Sequence, residues 1–309
     1  MKIAEPYHEG ELFVQQKVGE TAAAERNGGV IADSIMPGAL RFIEQQPMAV
    51  VGSLDAAGNA WASLLFGKPS FMKAVDERTA EFDLTQTVSN RHDPFWKNIE
   101  INSEIGMLVI ELATRRRLRL NGEIQMSGSD YLRLEVKQSY PNCPKYIQRR
   151  HAAVLRQINT DRHLIEPRTG NGLQTGHLDW VRRADTFFVA SSHPERGVDA
   201  SHRGGNPGFV QILDEQKLRV PDYIGNSMFN TLGNFVVNPR AGLVFLDFEA
   251  NRTLQLIGRA EIQWRLDDTE ERSGGTHRFW DFTVERWMEL DLPKAIDWEF
   301  LDYSPFNPD

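Results

Sequence analysis

The sequence predicts a mainly β protein that contains two tandem antiparallel β-barrels with short peripheral helices. The first observation is an internal repeat, in which residues 61–71 align with residues 199–209 at a shift of 138 and share Ala, Ser, Gly, Pro and Phe. Further along, residues 116–122 fall on residues 252–258 at a shift of 136 and share the pattern Arg-x-Leu-x-Leu-x-Gly. These later segments also alternate apolar and polar residues with the period of two that half-buried strands have.

The length of 309 residues corresponds to about two domains. The repeat divides the chain into a first barrel in residues 1–150 with an N-terminal extension, a linker in residues 151–175, and a second barrel in residues 176–309 with a C-terminal tail. We expect five or six strands in each barrel.

Both repeats show the same predicted elements in the same order. A short helix comes first, and a strand of β-branched and aromatic residues, a Gly/Asp-rich turn and a second strand follow it, as a hairpin requires. A third strand precedes a helical stretch, and two further strands complete the unit, the first nearly all apolar and the second alternating. Where the first barrel meets the linker, residues 143–155 predict a helix. In the first repeat, the clearest predicted elements are a helix at 38–46, a strand at 48–53, a turn at 55–59 and strands at 105–112 and 116–125. In the second repeat, the helix is at 176–183, the first strand at 186–191, the turn at 193–197 and the later strands at 241–248 and 252–263.

The composition excludes several classes of protein. The formal charge of −8 and the isoelectric point of about 5.6 do not suit nucleic-acid binding, and the basic cluster at residues 115–119 is too short to change that. The one cysteine, Cys143, cannot form an internal disulfide, and the 8 histidines show no metal-ligating spacing, so we expect no metal site. We see no signal peptide and no apolar stretch of the roughly 20 residues that a membrane span needs. The sequence therefore predicts a cytoplasmic protein without nucleic-acid or membrane partners.

The second repeat contains the most specific motifs. It reads DASHRGGNPGF at residues 199–209, PDYIGN at 221–226 and NPRAGL at 238–243. Together with YHEGEL at residues 7–12 and NCPKYI at 142–147, these motifs resemble bacterial flavin-nucleotide-binding proteins related to pyridoxamine 5'-phosphate oxidase. The resemblance covers most of the chain, once per repeat. It implies the FMN-binding split barrel, here in a tandem-repeat form.

The resemblance also implies the cofactor and the activity. The cofactor would be FMN, with FAD, a deazaflavin or haem less favoured, and the protein would be an FMN-dependent oxidoreductase acting on a small-molecule substrate. A homodimer is compatible with it. The alternative is a non-catalytic flavin-binding or structural pair of barrels, and no residue is assigned a catalytic role. The cofactor-binding residues that the resemblance implies are Ser201, His202, Arg203, Gly205, Pro207, Phe209, Pro221, Asp222, Asn226, Ser227, Asn230 and Arg252.

The residues themselves agree with a phosphate site around Arg203. This arginine stands between His202 and two glycines, where the backbone can approach a ligand closely. Residues 225–227 lead into a predicted helix, whose first N–H groups can bind a phosphate, although Asn and Ser also suit an ordinary helix cap. Members of the family carry further basic residues around positions 227–231, and this chain lacks them. The remaining positive charge is therefore expected from Arg203, Arg252 or a cation of the other repeat such as Lys68.

The first repeat lacks the polar residues that form the expected site in the second. Trp61, Leu64 and Leu65 replace its Asp, His and Arg. The split-barrel resemblance implies that a flavin lies between two barrels. The chain is therefore expected to be a fused pair of barrels with one good flavin site, in the second repeat.

Overall fold

The computed structural model describes residues 3, 5–127, 129–159 and 165–308, so residues 160–164 of the predicted linker lie outside the described residues. Helix α1 (Glu9–Lys17) begins at a capping box, in which His8 Nδ1 accepts the N–H of Gly10 and the Glu11 carboxyl group accepts the N–H of His8. The other α-helices of the described chain are α2 (Thr21–Gly28), α3 (Leu40–Gln45), α4 (Pro94–Ile101), α5 (Thr175–Arg183) and α6 (Asn230–Val237).

The first barrel is an antiparallel sheet in the N-terminal half of the chain. The strands of this half are β1 (Met48–Leu54), β2 (Ala60–Phe66), β3 (Met72–Ala74), β4 (Thr79–Asp83), β5 (Glu104–Glu111), β6 (Arg116–Ser127), β7 (Tyr131–Pro141) and β8 (Arg149–Asn159). The first seven pair in the order β2-β1-β5-β6-β7-β4-β3. The segment after β4 returns to the end of β2, where the N–H of Val88 donates to the carbonyl oxygen of Phe66 at 2.8 Å. This contact brings the two ends of the sheet together as a barrel.

The second barrel repeats this arrangement. Its half of the chain contains β9 (Arg168–Gly170), β10 (Thr186–His193), β11 (Gly197–Gly204), β12 (Gln211–Ile212), β13 (Lys217–Pro221), β14 (Arg240–Asp247), β15 (Arg252–Gln263), β16 (Phe279–Asp291) and β17 (Lys294–Asp302). The strand order is β11-β10-β14-β15-β16-β13-β12, with β9 added beside β16. Strand for strand, this is the order of the first barrel.

Strands β8 and β17 form a separate two-stranded antiparallel sheet that joins the linker to the C-terminal region. The prediction of a helix over residues 143–155 is therefore wrong. Pairing with a strand that lies far away in the sequence satisfies the backbone of this segment, and such tertiary pairing overrides local helix propensity. The C-terminal tail packs beside this sheet, where the N–H of Ser304 donates to Oε1 of Gln148 at 2.7 Å.

The buried apolar side chains form one core inside each barrel and a third cluster between the barrels. Neighbouring residues of one strand go to different cores, because successive side chains of a strand point to opposite faces. On β1, Val51 packs inside the first barrel and Val50 packs in the inter-barrel cluster. On β10, Phe187 packs inside the second barrel and Phe188 packs in the inter-barrel cluster. Burial on both faces explains why the apolar residues of these strands occur in runs rather than alternating with polar ones.

Two glycines allow the barrels to approach each other closely. A Cβ atom on Gly106 would lie 2.4 Å from the carbonyl oxygen of Val198, and one on Gly242 would lie 2.3 Å from the carbonyl oxygen of Ala60. Each glycine therefore lets its strand rest on the backbone of the other barrel. The two positions correspond at the repeat shift of 136, so the same close contact is made once from each barrel.

The predicted fold class, mainly β with two tandem split barrels, is confirmed, although the sheets have seven and eight strands rather than five or six. Helices α3 and α5 agree with the short helices expected at the start of each repeat. The domain boundaries at residues 1–150, 151–175 and 176–309 stay a prediction. No helix among the described residues is both long enough and apolar enough to cross a lipid bilayer.

Replacing Gly106 by Ala should lower the free energy of unfolding by about 1–3 kcal/mol, because the added Cβ would push the two barrels apart. Gly176→Ala is the matched control. Gly176 lies in α5 with open space around it, so Ala there should leave stability unchanged or raise it by up to about 1 kcal/mol. Urea unfolding followed by tryptophan fluorescence measures both variants. Equal unfolding midpoints for Gly106→Ala and the parent chain would show that Gly106 does not set the distance between the barrels.

Candidate functional site

A cavity of about 110 Å³ lies where the two barrels meet. Its walls come from β6 of the first barrel, from β11 and the segment between β13 and α6 of the second barrel, and from residues 142–146 before β8. Nine of the predicted cofactor-binding residues line this cavity. They are Ser201, His202, Arg203, Phe209, Pro221, Asp222, Asn226, Ser227 and Asn230.

Three predicted residues lie outside this cavity. Gly205 is needed for packing, because a Cβ atom there would lie 2.7 Å from Phe209. Pro207 lies in an exposed turn. The Arg252 side chain contacts Asp247 across the turn between β14 and β15, with its Nε 3.2 Å from Oδ2. The structure therefore places Arg252 in a hairpin contact and does not bring it to the cavity.

Two arginines enter the cavity from opposite barrels without a carboxylate partner among the described residues. Arg203 on β11 donates from Nη1 to the carbonyl oxygen of His202 at 3.1 Å, and Arg117 on β6 donates from Nε to the carbonyl oxygen of Cys143 at 2.8 Å. Burial lowers the pKa of Arg203 to about 10, and it also lowers the pKa of Arg117. Arg203 stays charged at neutral pH, and an arginine side chain keeps its proton in proteins. The cavity thus contains two arginine charges that are not ion-paired, and Lys145, which has no ion pair among the described residues, also lines it.

A third arginine, Arg119, connects the barrels beside the cavity. Its Nη1 donates to Oδ1 of Asp199 at 3.0 Å and to the hydroxyl oxygen of Tyr140 at 2.7 Å. Its Nη2 donates to the carbonyl oxygen of Ala200 at 3.0 Å and to Oγ of Ser201. Because Arg119 belongs to β6 and its acceptors on β11 belong to the other barrel, this buried network holds Ser201 in position at the cavity wall.

His202 lies buried in the cavity wall, and neither of its ring nitrogens has a hydrogen-bond partner among the described residues. Burial, and then the nearby charges of Arg117 and Arg203, hold the pKa of His202 well below its usual range. The ring is therefore neutral at pH 7 and packs edge-on against Phe188, with ring centroids 5.6 Å apart. A neutral imidazole has one N–H donor and one acceptor nitrogen, and the described residues use neither.

Further hydrogen-bond donors surround the two arginines. The Nδ2 group of Asn142 is buried without a partner, and α6 starts at the cavity with no side-chain cap on its first N–H groups. Left-handed backbone at Ser227 and Phe229, with φ of 62° and 61°, turns the chain into this helix. The carboxylate of Asp222 is engaged, because its Oδ2 accepts from Nε of Arg278 at 2.9 Å. The wall therefore favours an anion.

The contact made by Arg119 recurs on the other side of the interface with an uncharged residue. Gln255 holds the matching position on β15, and its Nε2 donates to the carbonyl oxygen of Ala62 at 3.0 Å and to Oγ of Ser63 at 3.2 Å. The same amide donates to Oδ2 of Asp93 at 2.9 Å, and burial raises the pKa of Asp93 to about 6. The interface thus keeps its hydrogen bonds on this side and loses the positive charge.

The two other cations of the cavity are also missing from that side. Thr253 stands where Arg117 stands in the first repeat, and Leu65 stands where Arg203 stands in the second. Leu65 packs in the core of the first barrel. Among the described residues, these positions therefore form no second cationic site.

One group of potential metal ligands occurs in the described part of the chain. Ligand atoms of His8, Glu9 and His193 lie within 4.8 Å of one another. Nδ1 of each histidine accepts a backbone N–H at 3.1 Å, from Gly10 and Glu195 respectively, so the proton of each neutral ring is on Nε2. A metal-ligating histidine instead has its lone pair at the metal and donates from its other nitrogen. The arrangement therefore favours hydrogen bonds from Nε2 of His193 to Glu9 and from Nε2 of His8 to Asn234 over metal binding.

Arg117, Arg119 and residues 142–146 line the cavity although they are not among the predicted site residues. The signal in the sequence is the alternation of these arginines with leucines on β6. The leucines pack inside the first barrel, so the arginines between them face outward, toward the second barrel. Lys68, which we expected to supply the charge from the first repeat, does not line the cavity.

No protein-family model and no curated protein matches the chain. Solved structures do match, each over about two fifths of this chain. One is HupZ of Group A Streptococcus, at 17% identity, covering 40% of this chain and 98% of that one with a TM-score of 0.32. A general-stress-protein-26-related protein of the pyridoxinephosphate oxidase family from Clostridium acetobutylicum is 14% identical and covers 41% and 92%, with a TM-score of 0.28. An FAD-binding protein from Mesorhizobium loti is 12% identical and covers 40% and 98%, with a TM-score of 0.27.

The N-terminal helix α1 brings a buried carboxyl group to the same interface. Glu11 is only 3% exposed, and it accepts the N–H of His8 at 2.9 Å and a hydrogen bond from Nδ2 of Asn230. Burial, together with the charge of Asp199, raises the pKa of Glu11 to about 8. Glu11 is therefore protonated in the folded protein at neutral pH.

The free energy of unfolding should fall as the pH rises from about 6.5 to 8, and it should fall less steeply in Glu11→Gln. The folded chain keeps a proton on Glu11 in this range, whereas the unfolded chain has lost it above an ordinary pKa of about 4.3. The contribution to the slope is at most about 1.4 kcal/mol per pH unit. Urea unfolding at a series of pH values measures it, with exposed Glu25→Gln as the matched control. A slope in Glu11→Gln equal to that of the parent chain would mean that Glu11 is ionised in the folded state.

Proposed function

We propose that the chain binds FMN in the cavity between the barrels and acts as a flavin-dependent oxidoreductase on a small organic substrate. The observation that carries this proposal is that Arg117 and Arg203 enter one cavity from two barrels without a carboxylate partner among the described residues. Buried charge is costly unless it is paired. A phosphate group would neutralise both guanidinium groups with charge-assisted hydrogen bonds.

The other donors of the cavity support a phosphate rather than a simple surface anion. The buried Nδ2 group of Asn142 and the ring of His202 lack partners in the described structure. The uncapped first turn of α6 adds backbone N–H groups and the positive end of the helix dipole. Since unsatisfied buried polar groups are rare in folded proteins, their clustering here supports a ligand.

The remaining wall suits a planar aromatic group. Phe209, Pro221, Tyr223 and Phe229 line the cavity beside the polar residues. Its volume of about 110 Å³ is below the usual roughly 300–1,000 Å³ of whole-ligand pockets, so the flavin ring would extend to the mouth, where Gly225 is exposed. A volume that encloses one phosphate favours FMN over the larger FAD.

Each residue has a defined part in this proposal. Arg117 and Arg203 would hold the phosphate, Arg119 would fix Ser201 beside it, and His202 would offer one donor and one acceptor. Bound FMN would supply the transfer of hydride or electrons between the substrate and an acceptor.

A non-catalytic flavin-binding protein is the second candidate. The observation that favours it is that the carboxylate of Asp222 is held by Arg278, while burial raises the pKa of Tyr223 and keeps His202 neutral. Neither Tyr223 nor His202 is therefore poised to exchange a proton near neutral pH. Oxidation of reduced pyridine nucleotide by the flavin-loaded protein, measured as steady turnover, separates an enzyme from a binding protein.

Arg203→Ala should weaken FMN binding about 10- to 150-fold, because it removes a charged hydrogen-bond donor to the phosphate worth about 1.5–3 kcal/mol. Arg252→Ala is the matched control, since Arg252 contacts Asp247 outside the cavity and should leave the affinity unchanged. Quenching of flavin fluorescence at fixed salt concentration measures both. Equal affinities for Arg203→Ala and the parent would place the phosphate elsewhere, and a chain that takes up no flavin at all would refute the proposal.

FMN should saturate at one molecule per chain. The repeat-related side of the interface has Thr253 and Leu65 in place of two arginines, so it lacks charge for a second phosphate. Equilibrium dialysis against FMN, followed by the two-band visible spectrum of oxidised flavin, gives the ratio. Two flavins per chain would contradict the assignment of a single site, and a haem spectrum of the purified protein would contradict the choice of cofactor.

A further inference from the structure

A second space between the barrels has the opposite charge. It is a groove of about 370 Å³ that adjoins the cationic cavity, since Asn230 lines both. Strands β5 and β6 form one side and the start of β11 forms the other, with α1 at the rim. Its acidic residues are Glu11, Glu104, Glu123, Glu195 and Asp199.

Glu11 is protonated at neutral pH and Asp199 is paired with Arg119, so the unpaired negative charge of the groove is on Glu104, Glu123 and Glu195. Glu104 and Glu123 face each other directly across β5 and β6, and neither forms an ion pair within the described residues. Like charges in opposing positions destabilise a sheet. Burial and the charge of Glu123 raise the pKa of Glu104, as expected for a crowded pair.

Of the two cations at the groove, Lys137 is ion-paired, whereas Arg196 is hydrogen-bonded to a carbonyl oxygen and keeps its charge against three unpaired carboxylates. Nζ of Lys137 binds Glu135 at 2.6 Å, and Nη2 of Arg196 donates to the carbonyl oxygen of Glu5 at 2.6 Å. Glu195, on the other side of the groove, also lacks an ion pair within the described residues. The groove therefore has an excess of acceptors and negative charge.

An unsatisfied buried acceptor lies in the wall of the same groove. Asn121 is only 7% exposed, and its Oδ1 has no hydrogen-bond partner among the described residues. Its Nδ2 donates to Oδ1 of Asp199 at 2.7 Å and to Oε1 of Gln138 at 3.1 Å, which fixes the orientation of the amide. Because Oδ1 can only accept, the partner that it lacks is a hydrogen-bond donor.

The spacing of the acids suits an organic cation better than a metal ion. No three of these groove acids have oxygens that all lie within 4.8 Å of one another. Among the described residues, only the ligand atoms of His8, Glu9 and His193 lie that close together. The acids are spread over a space much larger than one ion.

We propose that this groove binds a small organic molecule with one or more protonated amines, held by Glu104 and Glu123 and by a hydrogen bond to Oδ1 of Asn121. This goes beyond the proposed flavin function and does not depend on it. An ammonium group supplies both what the acids lack, a positive charge, and what Asn121 lacks, a donor. A ligand bound here would lie beside the cavity, at Asn230.

The test is isothermal titration calorimetry of the full chain with 1,4-diaminobutane at constant ionic strength. We expect saturable binding of one diamine per chain and none of uncharged 1,4-butanediol, which has the same length. Glu104→Gln should weaken diamine binding about tenfold, because it removes one charged partner. Glu285→Gln, an exposed strand residue outside the groove, is the matched control and should bind as the parent chain does.

Folding of the Glu104→Gln variant is not at risk, since the substitution relieves the repulsion from Glu123, and its thermal midpoint should equal or exceed that of the parent. The diamine should raise the thermal midpoint of the parent chain, and raise that of Glu104→Gln less, by mass action. Equal binding of the diol, unchanged affinity in Glu104→Gln, or displacement of the diamine by millimolar Mg²⁺ would each overturn the proposal. Because none of these readouts uses flavin, they are independent of whether FMN binds.

Discussion

The close contact between the two barrels is the constraint on which the rest of the structure depends. The central strands of each barrel have apolar side chains on both faces, one for the barrel's own core and one for the inter-barrel cluster. Neither barrel can expose that second face to water without losing a large part of its hydrophobic stabilisation. Gly106 and Gly242 let the backbones meet, and Arg119 and Gln255 make the hydrogen bonds across the contact. The cationic cavity and the acidic groove are spaces left at the edge of this contact, so both exist only while the barrels hold their distance.

The interface has related contacts on its two sides, but its charges are not related. Packing and hydrogen bonding are needed on both sides to join the barrels, so both sides keep their glycine and their bridging side chain. Arg117 and Arg203 are not needed for this packing, and their counterparts on the other side are the uncharged Thr253 and Leu65. The groove next to it has the opposite sign, and the ion pair between Arg119 and Asp199 stands between the two spaces. Such an arrangement can hold an anionic and a cationic group side by side, since each would lie against wall charge of the opposite sign.

The predictable part of the site is the part that is continuous in the sequence. The motifs around Arg203 and Asn226 each lie on one strand or loop, and folding does not separate their residues. Arg117 and Arg119 lie in the first repeat, and their role depends on whether the outward face of β6 packs against the second barrel. Arg252, which we expected as a possible source of positive charge, contacts Asp247 across the hairpin between β14 and β15 and does not line the cavity.

The sequence alone determined the repeat, the mainly β class, the order of elements and the position of the richest motif, because these follow from local alternation and from residues that are close in the chain. It did not determine the strand at β8, because that strand needs its distant partner β17. Nor did it determine the composition of the cavity, the burial that shifts the pKa of Glu11 and His202, or the acidic groove. These arise only when two barrels exclude water from the surface between them, and exclusion of water is a property of the assembled tertiary structure rather than of any one segment.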